Sequence, residues 1–132
     1  MKILDLHHVS LAVNDVEEAK NFYGTLLGFL ELKRPDFDFP GAWYQVGNSQ
    51  LHIIQNKQAE TLRHKDNIDS RDGHFAIRVE DYYQTVEFLE SKGIEIVQKP
   101  HSKSGFAQIF CMDPSNNLIE FNVEQKDLTE KE

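Results

Sequence analysis

His8-Val9-Ser10-Leu11-Ala12-Val13-Asn14-Asp15 returns later in the chain as His74-Phe75-Ala76-Ile77-Arg78-Val79-Glu80-Asp81. Each residue of the second stretch lies 66 positions after its counterpart. The match continues through the run that follows, ending at Phe22 in the first copy and Phe88 in the second. An internal repeat of this length defines the architecture before any local reading does, because each copy must be one supersecondary unit. Both copies open on a histidine, so the repeat duplicates chemistry together with backbone.

Outward from the repeat, each copy has the same order of elements. Leu6 to Val13 alternates as a half-buried strand, with Val9, Leu11 and Val13 on one face and His8, Ser10 and Ala12 on the other. Asp15 caps a helix, with Glu18 completing a capping box, and Val16, Ala19, Phe22, Tyr23 and Leu26 recur at helical spacing up to a stop at Gly28. Strands are expected at 29–33, 42–46 and 50–55, the last two forming a hairpin around Gly47-Asn48-Ser49. Residues 56–71 are polar and unpatterned, as in a linker or lid. The second copy repeats the series: a strand at 74–79, a helix capped by Asp81 and stopped by Gly93, and strands at 94–98, 106–111 and 118–123. Asp113-Pro114-Ser115-Asn116 forms the turn before the last strand. The expected fold is α+β, two tandem βαβββ modules at 5–56 and 72–124, joined by a linker at 57–71 and followed by a charged tail at 125–132.

Composition limits the function classes. A chain of 132 residues with 39% hydrophobic and 27% charged residues makes one ordinary globular domain. A formal charge of −8 argues against nucleic acid, whose binders neutralise phosphates with basic patches. No apolar run reaches the length of a membrane span. The start, Met1-Lys2-Ile3-Leu4-Asp5, meets an acid and two histidines too early for a signal peptide, and the lone Cys111 suits a reducing compartment. The expectation is a cytoplasmic protein with a small-molecule substrate, no nucleic-acid or membrane partner, and a homodimeric state.

Strand parity sorts the candidate donors. The apolar face of each first strand packs on its helix, so His8 and His74 lie on the opposite face. In the last strand Ile119, Phe121 and Val123 make the helix-facing set, which puts Glu120 with the histidines. His52 is the first-copy counterpart of Glu120, with a slip of two residues, although Ile54 shares its parity. If the two sheets curl toward one another, His8, His52, His74 and Glu120 line one concave surface. Imidazole nitrogens and a carboxylate are the donors that hold a divalent first-row metal. Any one strand histidine is more often a surface residue. Two pairs at equivalent positions of a repeat are much harder to attribute to chance.

The stretches 7–15, Phe22-Tyr23-Gly24-Thr25-Leu26-Leu27-Gly28-Phe29 and Asp113-Pro114-Ser115-Asn116-Asn117-Leu118-Ile119-Glu120 resemble those of the vicinal oxygen chelate superfamily. That is the group of glyoxalase I, fosfomycin-resistance proteins, extradiol dioxygenases and bleomycin-resistance proteins. The resemblance spans about residues 5 to 124 and implies curved mixed sheets forming an incomplete barrel around a metal site. It selects His8 over His7, with His74 and Glu120, as metal ligands, and puts His52 where glyoxalase I usually has a fourth, carboxylate ligand. It implies one divalent ion, Zn, Ni, Co, Mn or Fe, and a glyoxalase-like lyase or isomerase acting on a small hydroxy-carbonyl compound through a metal-chelated enediolate. Glu120, the one carboxylate of the four, becomes the proton carrier. Trp43, Phe37 and Phe106, with the loop cation Arg34, are the expected substrate-binding residues. The alternatives are an Fe(II) extradiol-type dioxygenase, a thiol transferase of the fosfomycin type, and a metal-free binding protein of the bleomycin-resistance kind. The chain departs from the family pattern at His52, at Asn116 in the turn, and at Phe106, where many relatives carry Arg.

Overall fold

The computed structural model describes residues 1–128, so residues 129–132 of the expected charged tail lie outside it. The chain divides into two compact units, one running from Met1 to Arg63 and the other beginning at His64. Within the first unit the strands are β1 (His8–Val13), β2 (Leu30–Leu32), β3 (Gly41–Val46) and β4 (Ser49–Gln55), with helix α1 (Val16–Lys20) between β1 and β2. The second unit carries β5 (His74–Arg78), α2 (Tyr82–Ser91), β6 (Val97–Lys99), β7 (Phe106–Met112) and β8 (Leu118–Glu124), closed by a short 3-10 turn at Gln125–Asp127. Sheet orders are β1-β4-β3-β2 and β5-β8-β7-β6, one topology used twice. In both, the first and last strands pair in parallel and the remaining neighbours pair antiparallel. No helix among the described residues is long and apolar enough to cross a membrane.

The alternation read from the sequence accounts for the packing. Val13, Ala42, Tyr44, Leu51 and Ile53 are buried on one side of the first sheet, with Ala19, Phe22 and Tyr23 of the helical segment also in the core. In the second sheet Ala107, Ile109, Cys111, Ile119, Phe121 and Val123 take the corresponding places, and Tyr82, Val86 and Leu89 of α2 join them. Burying a side chain of this size is worth roughly 1.5–3 kcal/mol, so these faces supply most of each unit's stability.

The two helices differ, and the difference has a local cause. Asp15 caps α1 by accepting from the Glu17 and Glu18 amides at 2.8 and 3.1 Å, and Asp81 caps α2 through the Gln84 amide at 2.9 Å. After Lys20 the first helix widens into a π turn over Asn21–Leu26, and the Leu27 amide reaches back five residues to the Phe22 carbonyl at 2.9 Å. The wider turn lets two successive rings, Phe22 and Tyr23, share the buried side, the Tyr23 ring lying 6.3 Å from Tyr44. Helix α2 keeps the regular period, so Phe88, the repeat partner of buried Phe22, is 41% exposed beneath the Lys92 ammonium. The expected strand at 94–98 is displaced to Val97–Lys99, because after Gly93, at φ +73°, the pairing with β7 begins only at Val97.

Candidate metal and substrate site

β8 is buried along nearly its whole length, and its register is set by the turn before it. Asp113 Oδ1 accepts from the Ser115 amide at 2.8 Å and the Asn117 amide at 2.9 Å, and Oδ2 accepts from Asn117 Nδ2 at 2.9 Å. Asn116 takes the left-handed conformation at φ +66°, which an asparagine tolerates in place of glycine. Ladder pairing then puts Glu120 opposite Ala76 of β5 and opposite Phe110 of β7. His74 shares that face two residues earlier on β5, and its Nε2 lies 3.0 Å from Glu120 Oε1.

Both nitrogens of His74 are accounted for. Nδ1 lies 2.7 Å from the Asp72 carbonyl oxygen, which can only accept, so Nδ1 carries the hydrogen. In the neutral ring Nε2 therefore presents a lone pair to a carboxylate oxygen. Two acceptors that close need a proton or a cation between them. The 3.0 Å separation is also the edge expected between two neighbouring donors each at about 2.1 Å from one ion. A backbone carbonyl fixing the tautomer of a histidine is the usual support of a metal-ligating imidazole. Glu120 itself is only 4% exposed, and its second oxygen accepts from Asn122 Nδ2 at 2.6 Å. By donor chemistry and by geometry, this pair fits a divalent ion.

The first unit brings His8 and His52 together in a different way. Trp43 pairs with His52 across the β3–β4 ladder, and the His52 ring lies flat between two others. Trp43 stacks on one side at 4.1 Å and 6°, and His8 on the other at 4.1 Å and 18°. His52 Nε2 donates to Gln50 Oε1 at 2.8 Å. Burial, then the neighbouring His8, His7 and Arg34, holds the His52 imidazole below the usual histidine range, in the neutral form a metal accepts. An imidazole binds an ion in the plane of its ring, and two nearly parallel planes 4.1 Å apart share no such point. His8, whose Nδ1 lies 2.9 Å from His7 Nδ1, is the exposed member of the pair. Among the described residues no three His, Cys, Asp or Glu side chains gather as a site that could hold a metal. The four expected donors stand as two pairs, one in each unit.

The expected substrate residues fall into two settings. Arg34 lies against the rings of Phe37 and Phe39 at 4.8 and 4.9 Å, and donates through Nη2 to the Phe39 carbonyl at 3.0 Å. Its buried Nε has no hydrogen-bond partner among the described residues. These residues and Gly41 line an open groove of about 480 Å³ against the start of α1. Gly41 is obligatory, since a Cβ there would run into the Ile53 carbonyl oxygen. Phe37 also approaches Trp43, at 6.3 Å. In the second unit Phe106 lies under the Arg78 guanidinium at 5.3 Å.

Sequence reasoning passed over Phe110, Asn122, Arg78 and Gln50. Phe110 faces Glu120 across its ladder as Trp43 faces His52, and its ring meets His74 edge-on at 5.4 Å. The repeat itself carried that signal, because the two aromatic residues hold equivalent register positions. Asn122 lies two residues beyond Glu120, hence on the same face.

Comparison with known proteins joins these observations. A family model described as the glyoxalase/bleomycin resistance protein/dioxygenase superfamily matches residues 5–121. The chain belongs to this superfamily. Among curated proteins this superfamily member is 31% identical over 123 residues to glyoxylase I 4 of Arabidopsis thaliana, covering 91% of this chain and 71% of that one. It is 26% identical over 125 residues to a lactoylglutathione lyase of Neisseria meningitidis, covering 88% of each. Among solved structures, a glyoxalase family protein from Bacillus anthracis superposes with a TM-score of 0.76 at 26% identity, over 94% of this chain and 98% of that one. A fosfomycin resistance protein from Listeria monocytogenes, solved with Mn(II) and a dihydroxypropylphosphonic acid, shares the fold at a TM-score of 0.71 and 18% identity, over 95% and 98% of the two chains.

Proposed function

We propose that this superfamily member is a divalent-metal-dependent lyase or isomerase of the glyoxalase type, acting on a small compound with neighbouring hydroxyl and carbonyl groups. The observation that carries the reading is the His74–Glu120 pair, two acceptors 3.0 Å apart with their other polar atoms already engaged. His74 and Glu120, with His8 and His52, are the proposed donors. When bound, the ion supplies a Lewis acid for the two substrate oxygens. Glu120 takes the proton from the carbon beside the carbonyl and returns it to the adjacent carbon, so no redox partner is needed. His74, its tautomer fixed by the Asp72 carbonyl, keeps its lone pair toward the ion. Trp43, Phe37, Phe106 and Arg34 are the proposed substrate contacts, and a homodimer is the proposed assembly.

The test is Glu120→Gln, assayed for metal content by elemental analysis and for turnover of small hydroxy-carbonyl compounds. Loss of turnover by at least about a hundredfold with metal retained is expected for a proton carrier. Full activity in that variant refutes the role. A second reading, a three-donor site of the fosfomycin-resistance or dioxygenase kind, draws support from the His52 ring lying flat between Trp43 and His8. In His52→Ala the two readings part: metal is lost under the four-donor reading and kept under the three-donor one.

A further inference from the structure

A line of polar contacts runs along the site face of the second unit and ends on Glu120. Arg78 Nε donates to Asn122 Oδ1 at 2.7 Å, and Asn122 Nδ2 donates to Glu120 Oε2 at 2.6 Å. Glu120 Oε1 then faces His74 Nε2 at 3.0 Å. Asn122 is 6% exposed and Glu120 4%. An asparagine amide has a donor end and an acceptor end, and it can turn either toward a neighbour. Here the choice is imposed from outside, because a guanidinium only donates and so claims the acceptor end. The donor end is left for the carboxylate. Arg78 is itself steadied by Glu124, 3.8 Å away, and by the Phe106 ring beneath it.

We propose that Asn122, aimed by Arg78, is the positioning residue of the metal centre. It holds one Glu120 oxygen so that the other alone is offered beside His74. The inference rests on the reading of Glu120 as a metal ligand given above. Without the amide donor the buried carboxylate can rotate about its last torsion, or swing both oxygens toward the ion. Without Arg78 the amide can flip and present its oxygen to the carboxylate, which repels it. Neither residue is among the proposed donors, so each would act through the orientation of Glu120. Loss of such outer support typically weakens a metal site 10–100-fold. The first unit has no such line, since Ala12 and Ile54 occupy the ladder positions of Arg78 and Asn122. The second unit alone is built to fix a carboxylate.

The test is a calorimetric titration of the full chain, stripped of metal, with Co(II). It compares the wild type with Asn122→Leu, Arg78→Met and the double variant, with melting curves recorded alongside. Asn122→Leu is expected to weaken Co(II) binding about 10–100-fold and to change the visible Co(II) spectrum. Arg78→Met, at a half-exposed position where loss of folding is not at issue, is expected to weaken it by a smaller factor in the same direction. The double variant should bind no more weakly than Asn122→Leu alone, because Arg78 works only through Asn122. Unchanged Co(II) affinity in both single variants, or independent losses that multiply in the double variant, overturns the inference while leaving the metal reading standing. A wild-type chain that takes up no Co(II) overturns that reading and this inference together.

Discussion

Cys111 shows how position decides chemistry at the level of one side chain. It lies on β7 with its side chain fully buried on the helix-facing side of the second sheet, away from the face that carries Phe110 and Glu120. Burial first, and the nearby Asp113 second, push its thiol up to about 12. A thiol reacts through its thiolate, so this one is inert at neutral pH. Incubation of the folded protein with a thiol reagent at pH 8 is expected to leave it unmodified over minutes. One equivalent should react once denaturant is added, and prompt labelling of the native protein contradicts the placement. Among the site residues, legibility followed repetition. His8, His52, His74 and Glu120 stood out as candidates because each has an equivalent in the other copy. Asn122 and Arg78 did not, because their counterparts in the first unit are Ile54 and Ala12 and nothing repeats there.

For elements, the turn between β7 and β8 delivers the chain into the strand that bears Glu120. Asp113 is 3% exposed and accepts from two amides and the Asn117 side chain, holding the chain reversal that puts Glu120 beside His74. Asp113→Ala removes a buried carboxylate acceptor and leaves its donors unmatched, at a cost of about 3 kcal/mol. A fall of roughly 10 °C in the melting midpoint, followed by circular dichroism, is the expected outcome. A midpoint within about a degree of the wild type contradicts a structural role for the turn. The order of strands and helices was legible from alternation and turn residues, but two details were not. The π turn at Asn21–Leu26 arises where the helix buries Phe22 and Tyr23 together, with Tyr23 beside Tyr44, and helical spacing carries no record of a strand that follows it. The displacement of β6 to Val97–Lys99 reflects where pairing with β7 begins, and not the apolar run that starts at Ile94.

Across the whole molecule, the buried acids give a defined response to alkali. Burial pushes the Tyr44 and Tyr82 phenols, like the Cys111 thiol, up to about 12. An unfolded chain loses these protons from about pH 9 for the thiol and 10 for the phenols, while the folded chain keeps them. The unfolded state therefore binds fewer protons across this window, and stability falls as pH rises from about 9 toward 12. Below about pH 8 these groups contribute almost no slope. Of the four tyrosines, Tyr44 and Tyr82 should ionise late and together with unfolding, read as phenolate absorbance against circular dichroism. Early, independent ionisation of all four tyrosines defeats this expectation. Fold class and the order of elements in each copy were open to sequence because both follow from one repeated pattern. The stacking of His52 between Trp43 and His8 was not, because a ring's tilt depends on packing and not on parity.

The parallel pairing of first and last strands has a consequence for how such a chain can change. In each unit the two strands that carry the proposed donors are direct neighbours, while β2 and β3, or β6 and β7, fill out the rest of the sheet. The segment from Lys33 to Pro40, with Arg34, Phe37 and Phe39, joins the two strands farthest from β1, yet its Pro40 carbonyl accepts from the Gln55 amide of β4 at 2.9 Å and Phe37 approaches Trp43. Through Trp43, which stacks on His52, and through the Arg34 charge, replacements there reach the β4 histidine. A chain that varies this segment therefore also varies the surroundings of His52, and the two must change together.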